Sequence, residues 1–350
     1  MSLPVRRIVS VLPSATEIIC LLPGGAERMV GRSHECDFPK KITHLPILTG
    51  QKTTFTSSAD VDKQVSTALS TGQSLYTLDT DQLSALKPDL ILTQDICDVC
   101  AIDLQTVHRV AAKMTPEPAV VTLNPNSLHD VLHNILQVGD VIGEQAGART
   151  VYNELLARLV AVQDWTRTHV KERPNVAFIE WVDPIFFGGH WTPQLIELAG
   201  GYHPLNTVLK SQTDHQDLLA QWKDWTYGTS PYTKSYRITA ATLAAKKPEI
   251  LLIAPCGLDI PTTERELRSV VARADSWWWS MSPRPKRIVL VDGNHMFNRP
   301  GPRLVEAAEF VQAMLHRPDV LAERFPSTVF PWVELDVEEW FDPARVQKEI

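Results

Sequence analysis

Short runs of β-branched and other apolar residues recur along the chain, each bounded by proline, glycine or asparagine. They read RRIVSVLP, PDLILTQ, PAVVTLN, PNVAFIEW, PEILLIAP and KRIVLVDG. Continuous apolar runs of this kind suit strands buried on both faces, since a half-exposed strand would alternate apolar and polar positions. Stretches with apolar residues at helical spacing separate the runs. Strands alternating with helices predict an α/β protein with parallel sheets.

The pattern also repeats. LSALKPDLILTQDIC (83–97) and LAAKKPEILLIAPC (243–256) match at Leu83/Leu243, Ala85/Ala245, Lys87/Lys247 and Pro88/Pro248, a constant offset of 160 positions. Each reads as a helix end, a Lys-Pro stop and a buried strand. TEIICLLPGG (16–25) and PQLIELAGG (193–201) form a second pair, two helices ending at glycine C-caps. The repeats divide the chain into two related α/β lobes, 1–142 and 174–316. Between them, 143–173 has Leu, Ala and Val at helical spacing and no proline, which predicts one helix of about 30 residues, roughly 45 Å long. Residues 211–235 read as an insertion in the second lobe, and 317–350 as an acidic, aromatic tail expected to pack loosely.

Composition narrows the partners. The 350 residues carry a net charge of −7, with no basic stripe interleaved with aromatics, which argues against nucleic acid. No run approaches the ~20 apolar residues of a membrane span. The opening MSLPVRRIVSVLPS passes directly into the first strand, without an apolar segment and small-residue cleavage site. On that ground the expectation is a cytoplasmic protein whose five cysteines are reduced thiols.

Open parallel sheets bind ligands beyond the carboxyl ends of their strands, and several reactive side chains fall there. His34, Glu35 and Cys36 lie in GRSHECDFP, Cys97 and Cys100 in CDVC, Cys256 in APCG, His190 and Trp191 in GGHWTP, and His295 in DGNH. Cys36, Cys97, Cys100 and Cys256 with His34 are a candidate set for a zinc-like ion, and Glu35 a candidate acid/base beside it. Phe187 and Trp191 offer aromatic walls for a large flat ligand. Cys20 reads as core, the His129/His133 pair as surface, and Trp277–Trp279 as too bulky to bury together. No nucleophile elbow, phosphate loop or dinucleotide fingerprint is present in the sequence.

The stretch RIVSVLPSATEIICLLPGGAERMVGRSHECDFP, the paired LSALKPDLIL and LAAKKPEILL, GGHWTPQLIELAGG and NRPGPRLVEAAE together resemble the helical-backbone binding proteins of metal-chelate and cobalamin uptake, over about 6–316. SHECDFP, CDVCAI, APCG and DGNHMFNRPGPR resemble a cobalamin-binding subgroup. The resemblance implies two Rossmann-like lobes joined by one long helix, with a cobalamin, other corrinoid or related metal chelate held in a cleft between them without catalysis. His34, Glu35, Cys36, His190, Trp191, Phe187 and His295 are then its expected ligand contacts. Transporter-docking carboxylates would fall at Asp62 and Glu197, although a cytoplasmic protein would have no transporter to meet. The alternative left open is a cytosolic metal-binding protein or metalloenzyme built on the Cys/His set.

Overall fold

The computed structural model describes residues 5–95, 102 and 104–346. They form two compact units. The first takes in the chain up to Thr56, Asp60–Ala157 and Pro300–Pro302; the second takes in Ser57–Ala59, Arg158–Arg299 and the chain from Arg303 onward.

In the first unit β1 (Ile8–Ser10), β2 (Met29–Arg32), β5 (Leu90–Thr93) and β6 (Ala119–Thr122) form a parallel sheet in the order β2-β1-β5-β6. Strands β3 (Thr49–Gln51) and β4 (Tyr76–Leu78) pair antiparallel beside it. In the second unit β7 (Val176–Val182), β8 (Ile185–Phe187), β9 (Ile250–Ile253), β10 (Arg287–Val291) and β11 (Trp332–Leu335) make a sheet in the order β11-β10-β9-β7-β8. Its inner three strands are parallel and its two edge strands antiparallel. All six apolar runs are strands. β5 and β9 are buried at every position, which explains why they read as unbroken apolar runs.

The sequence repeat is a repeat of structure. Helix Thr80–Leu86 is capped by the Asp79 side chain and helix Ala240–Ala245 by Thr239. Each is followed by a lysine in the left-handed region, Lys87 at φ 44° and Lys247 at φ 47°. The residues after the prolines then tie into the first strand of their sheet in the same way: Leu90 N–H bonds to the Arg7 carbonyl and Ile250 N–H to that of Asn175. The connecting helix spans Gln145–His169. Gly143, at φ 79°, ends the preceding helix Leu128–Ile142, so the long helix starts two residues later than its apolar pattern suggests.

The tail departs from expectation. It adds β11 to the sheet and buries Trp340 and Phe341 in the core of the second unit. Phe341 stacks on Trp278 at 4.9 Å, and the Trp278 indole N–H donates to the Trp340 carbonyl at 3.0 Å. The Arg268 guanidinium lies 4.5 Å above the Trp340 ring. The tail therefore covers Trp278 and Trp279, while Trp277 donates to the Val182 carbonyl at 2.8 Å; Trp277 and Trp278 are buried and Trp279 is half-buried. A loosely packed tail would leave that apolar surface in water. Replacing a buried tryptophan by alanine costs about 3–5 kcal/mol, so Trp340→Ala should lower the urea midpoint of the second unit sharply. A loss below about 1 kcal/mol in equilibrium unfolding would mean that the tail is dispensable.

Candidate functional site

In the first unit, strand β2 ends in an arginine whose side chain shapes the loop after it. The buried Arg32 guanidinium donates to the carbonyls of Ser33 (3.3 Å), Cys36 (3.0 Å), Thr43 (2.7 Å) and Leu45 (3.2 Å). Four carbonyl acceptors replace the water that a buried cation gives up, and they hold residues 33–45 around it. Asp37 and Pro39 lie within this closed loop, which leaves Phe38 and Ile47 exposed.

The same loop sets the state of His34. The Thr49 hydroxyl donates to Ser33 Oγ at 3.0 Å, which leaves Thr49 Oγ1 to accept from His34 Nδ1 at 2.7 Å. With its proton on Nδ1, the ring has a lone pair on Nε2, and that buried nitrogen has no hydrogen-bond partner among the described residues. Burial also lowers the His34 pKa, so the ring stays neutral. Glu35 is half-buried, its backbone N–H donating to Ser33 Oγ. Cys36 points the other way. Its thiol is fully buried, 3.0 Å from the Thr16 hydroxyl on helix Pro13–Leu21.

In the second unit, GGH follows β8. A Cβ on Gly189 would stand 2.0 Å from the Ser235 nitrogen and 2.4 Å from the Lys234 carbonyl carbon, so only glycine fits there. The next residue, His190, is held at φ 56°, a region costly for a side-chain-bearing residue. Its N–H donates to the Thr233 carbonyl at 3.0 Å. Asn206 grips Thr233 from the far side, giving one hydrogen bond and accepting another, each 3.0 Å. The His190 Nε2 is buried without a hydrogen-bond partner among the described residues, and burial, helped by the Lys234 charge, takes the ring's pKa down to about 4. Beside it Trp191, only 8% exposed, donates to the Phe297 carbonyl at 2.7 Å. Its ring centroid is 5.4 Å from that of His190.

Behind this turn lies a polar cluster that sequence reasoning missed. Glu197 is fully buried and accepts from the Tyr232 hydroxyl (2.6 Å) and the Thr207 hydroxyl. Arg173, also buried, donates to the carbonyls of Glu197 (2.5 Å), Gly201 (3.2 Å) and Asp214 (3.0 Å). Burial, opposed by these hydrogen bonds and by Arg173, pushes the Glu197 carboxyl up to about 7. Every residue of helix Thr192–Leu198 is buried, Glu197 included, a tertiary fact that the local sequence PQLIEL does not carry.

Several expected roles are corrected by this geometry. Glu197 cannot dock a transporter, because it has no exposed surface; Asp62, on helix Ser58–Ser70, is half-buried. Phe187 is core, with its ring edge-on to Tyr236 at 4.3 Å, and is not a ligand wall. Cys36 is sealed inside the first unit, and Cys256 is exposed in the second. Cys97 and Cys100 lie outside the described residues. Among the described residues no three His, Cys, Asp or Glu side chains converge on a metal position. His295 is engaged by its own loop, its Nδ1 3.2 Å from the Arg303 guanidinium and its Nε2 3.8 Å from the Asp292 carboxylate.

The sequence profile of the periplasmic binding proteins matches residues 8–269, and the chain belongs to that family. No curated protein sequence matches it. Among solved structures it is similar to the periplasmic heme-binding protein RhuT from Roseiflexus sp. RS-1, at 19% identity and a TM-score of 0.60 over 89% of this chain and 98% of that one. A periplasmic heme-binding protein from Pseudomonas aeruginosa is 18% identical, with a TM-score of 0.61 over 90% and 93%. The periplasmic vitamin B12 binding protein BtuF of Vibrio cholerae is 15% identical, with a TM-score of 0.57 over 89% and 97%. At these identities the structures establish the fold: two α/β lobes joined by a long helix.

The family overturns the cytoplasmic expectation, because its members and these neighbours are periplasmic. That expectation rested on the first residues alone, whereas the family match rests on the folded body, residues 8–269. The objection to transporter docking falls with it. No helix of the described residues is long and apolar enough to cross a membrane.

The Glu197 carboxyl supplies a pH test. Its folded pKa of about 7 lies above its ordinary 4.5, so its stabilising contribution is complete below the ordinary value and is lost as pH rises through about 7. Glu197→Gln mimics the protonated form. We therefore expect the thermal midpoints of wild type and E197Q to lie close at pH 5 and E197Q to become increasingly the more stable toward pH 8. A gap that does not change with pH would show that Glu197 is ionised throughout.

Proposed function

We propose that this chain is a non-catalytic binding protein for a planar metal chelate of the tetrapyrrole class, corrinoid or heme, and that His190 faces the metal. The observation that carries the reading is the His190 imidazole itself. It is neutral, its Nε2 has no hydrogen-bond partner among the described residues, and a left-handed backbone and close-packed turn fix its position after β8, whose antiparallel course returns the chain toward the amino ends of the parallel strands. A buried acceptor without a donor is costly, and a metal ion is one partner that satisfies it. His34 offers a second nitrogen of the same kind in the first unit. His203 has an unpartnered Nε2 as well, but it is sealed in the core, with Nδ1 on the Val176 carbonyl at 2.8 Å.

The neighbours named for heme and for vitamin B12 are consistent with either ligand. Neither ligand demands chemistry from the protein; the work is to bind, orient and release. Delivery to a membrane transporter belongs with this reading, and Asp62 is the expected docking carboxylate that remains.

Titrating the protein with iron(III) protoporphyrin IX and with aquocobalamin, and following the visible bands, tests the reading. At least one should shift its spectrum with wild type, and His190→Ala should weaken that ligand about tenfold or more and abolish the shifted form. Because the ring protonates only near pH 4, the shifted form should persist through pH 6 and fade as pH approaches that value. Unchanged spectra with both chelates would overturn the proposal.

A further inference from the structure

The segment packed on the His190 turn presents a second set of groups that neither the core nor the imidazole uses. Thr233 receives the His190 N–H, and Gly189 rests on the Lys234–Ser235 backbone. Lys234 is exposed and makes no ion pair among the described residues, yet it stands near enough to act on the His190 ring. Two residues on, Tyr236 is 51% exposed, although its ring edge rests on buried Phe187. Arg237 follows, its guanidinium 5.7 Å above the Phe186 ring.

Charge makes this stretch unusual. The chain is net −7, but from Trp225 to Pro248 it has no aspartate or glutamate and four cations, Lys234, Arg237, Lys246 and Lys247. An exposed lysine is ordinarily just solvated. This one stands on a backbone held against Gly189 by the turn it supports, lacks an acidic neighbour in its own segment, and shares its edge with an exposed aromatic ring.

We propose that Lys234–Arg237 is a carboxylate-binding rim: the Lys234 ammonium pairs with an anionic substituent at the edge of the chelate whose metal faces His190, and the Tyr236 ring lies along that edge. The inference rests on the tetrapyrrole reading and narrows its ligand class. It selects metal tetrapyrroles with ring-edge carboxylates over corrinoids whose edge carries neutral amides. An exposed cation adds to affinity mainly when its partner is charged, and salt screens the effect.

The experiment compares iron(III) protoporphyrin IX, its dimethyl ester and aquocobalamin on wild type, Lys234→Ala and Lys234→Arg. Wild type should bind the diacid about tenfold or more tightly over the ester, K234A should erase most of that preference without weakening the ester, and K234R should restore it. Three outcomes overturn the rim while leaving the tetrapyrrole reading intact. They are equal binding of diacid and ester by wild type, aquocobalamin bound more tightly than either porphyrin, and a K234A loss shared equally by diacid and ester. If none of the three ligands binds, the tetrapyrrole reading falls and the rim falls with it.

Discussion

The second unit depends on the approach of Gly189 to the backbone at Lys234 and Ser235. With a Cβ position 2.0 Å from a backbone nitrogen, no other residue can occupy that point without moving one segment away from the other. The contact turns an irregular segment into a supporting wall. It fixes where Thr233 receives the His190 N–H, and with it the left-handed backbone that aims the imidazole. The wall is secured from behind, where Tyr232 reaches the buried Glu197 carboxyl and Asn206 holds Thr233. Polar side chains do here what a regular strand would do elsewhere.

Buried arginines play a matching part in each unit. Arg32 gathers the loop after β2, and Arg173 gathers the chain around helix Thr192–Leu198. Burying a guanidinium costs several kcal/mol unless its donors are met, and both side chains meet them chiefly with backbone carbonyls. A carbonyl cannot swing away as a side chain can, so each cation fixes the course of a loop that would otherwise sample many conformations. Loops ordered before the ligand arrives lose less entropy on binding. For a binding protein that is a direct gain in affinity, obtained without any contact to the ligand.

Much of the fold was legible because it is written in local pattern. Strands buried on both faces must read as apolar runs, and the 160-position repeat carries its own punctuation at Lys87-Pro88 and Lys247-Pro248. The loop of His34 was also found, since it follows β2 at its carboxyl end; the turn of His190 follows the antiparallel β8 instead, and so lies toward the amino ends of the parallel strands, against expectation. What the sequence hid is direction. Cys36 is two residues from His34, but it points back to Thr16, because the Arg32 staple turns the chain between them. Glu197 read as a docking carboxylate because the family resemblance aligned it there; the all-buried helix shows that it faces inward. The tail read as loose because its partners, Trp277–Trp279, lie some sixty residues earlier, and no local pattern joins the two.

His190 is a neutral imidazole that we propose faces a metal. Pulsed electron paramagnetic resonance of the iron(III) protoporphyrin complex, prepared with 15N-labelled histidine, tests it most directly. Nitrogen hyperfine coupling from an imidazole bound to the iron is expected in wild type, and its loss in His190→Ala. Iron without imidazole coupling in wild type, or coupling that survives the substitution unchanged, would contradict it.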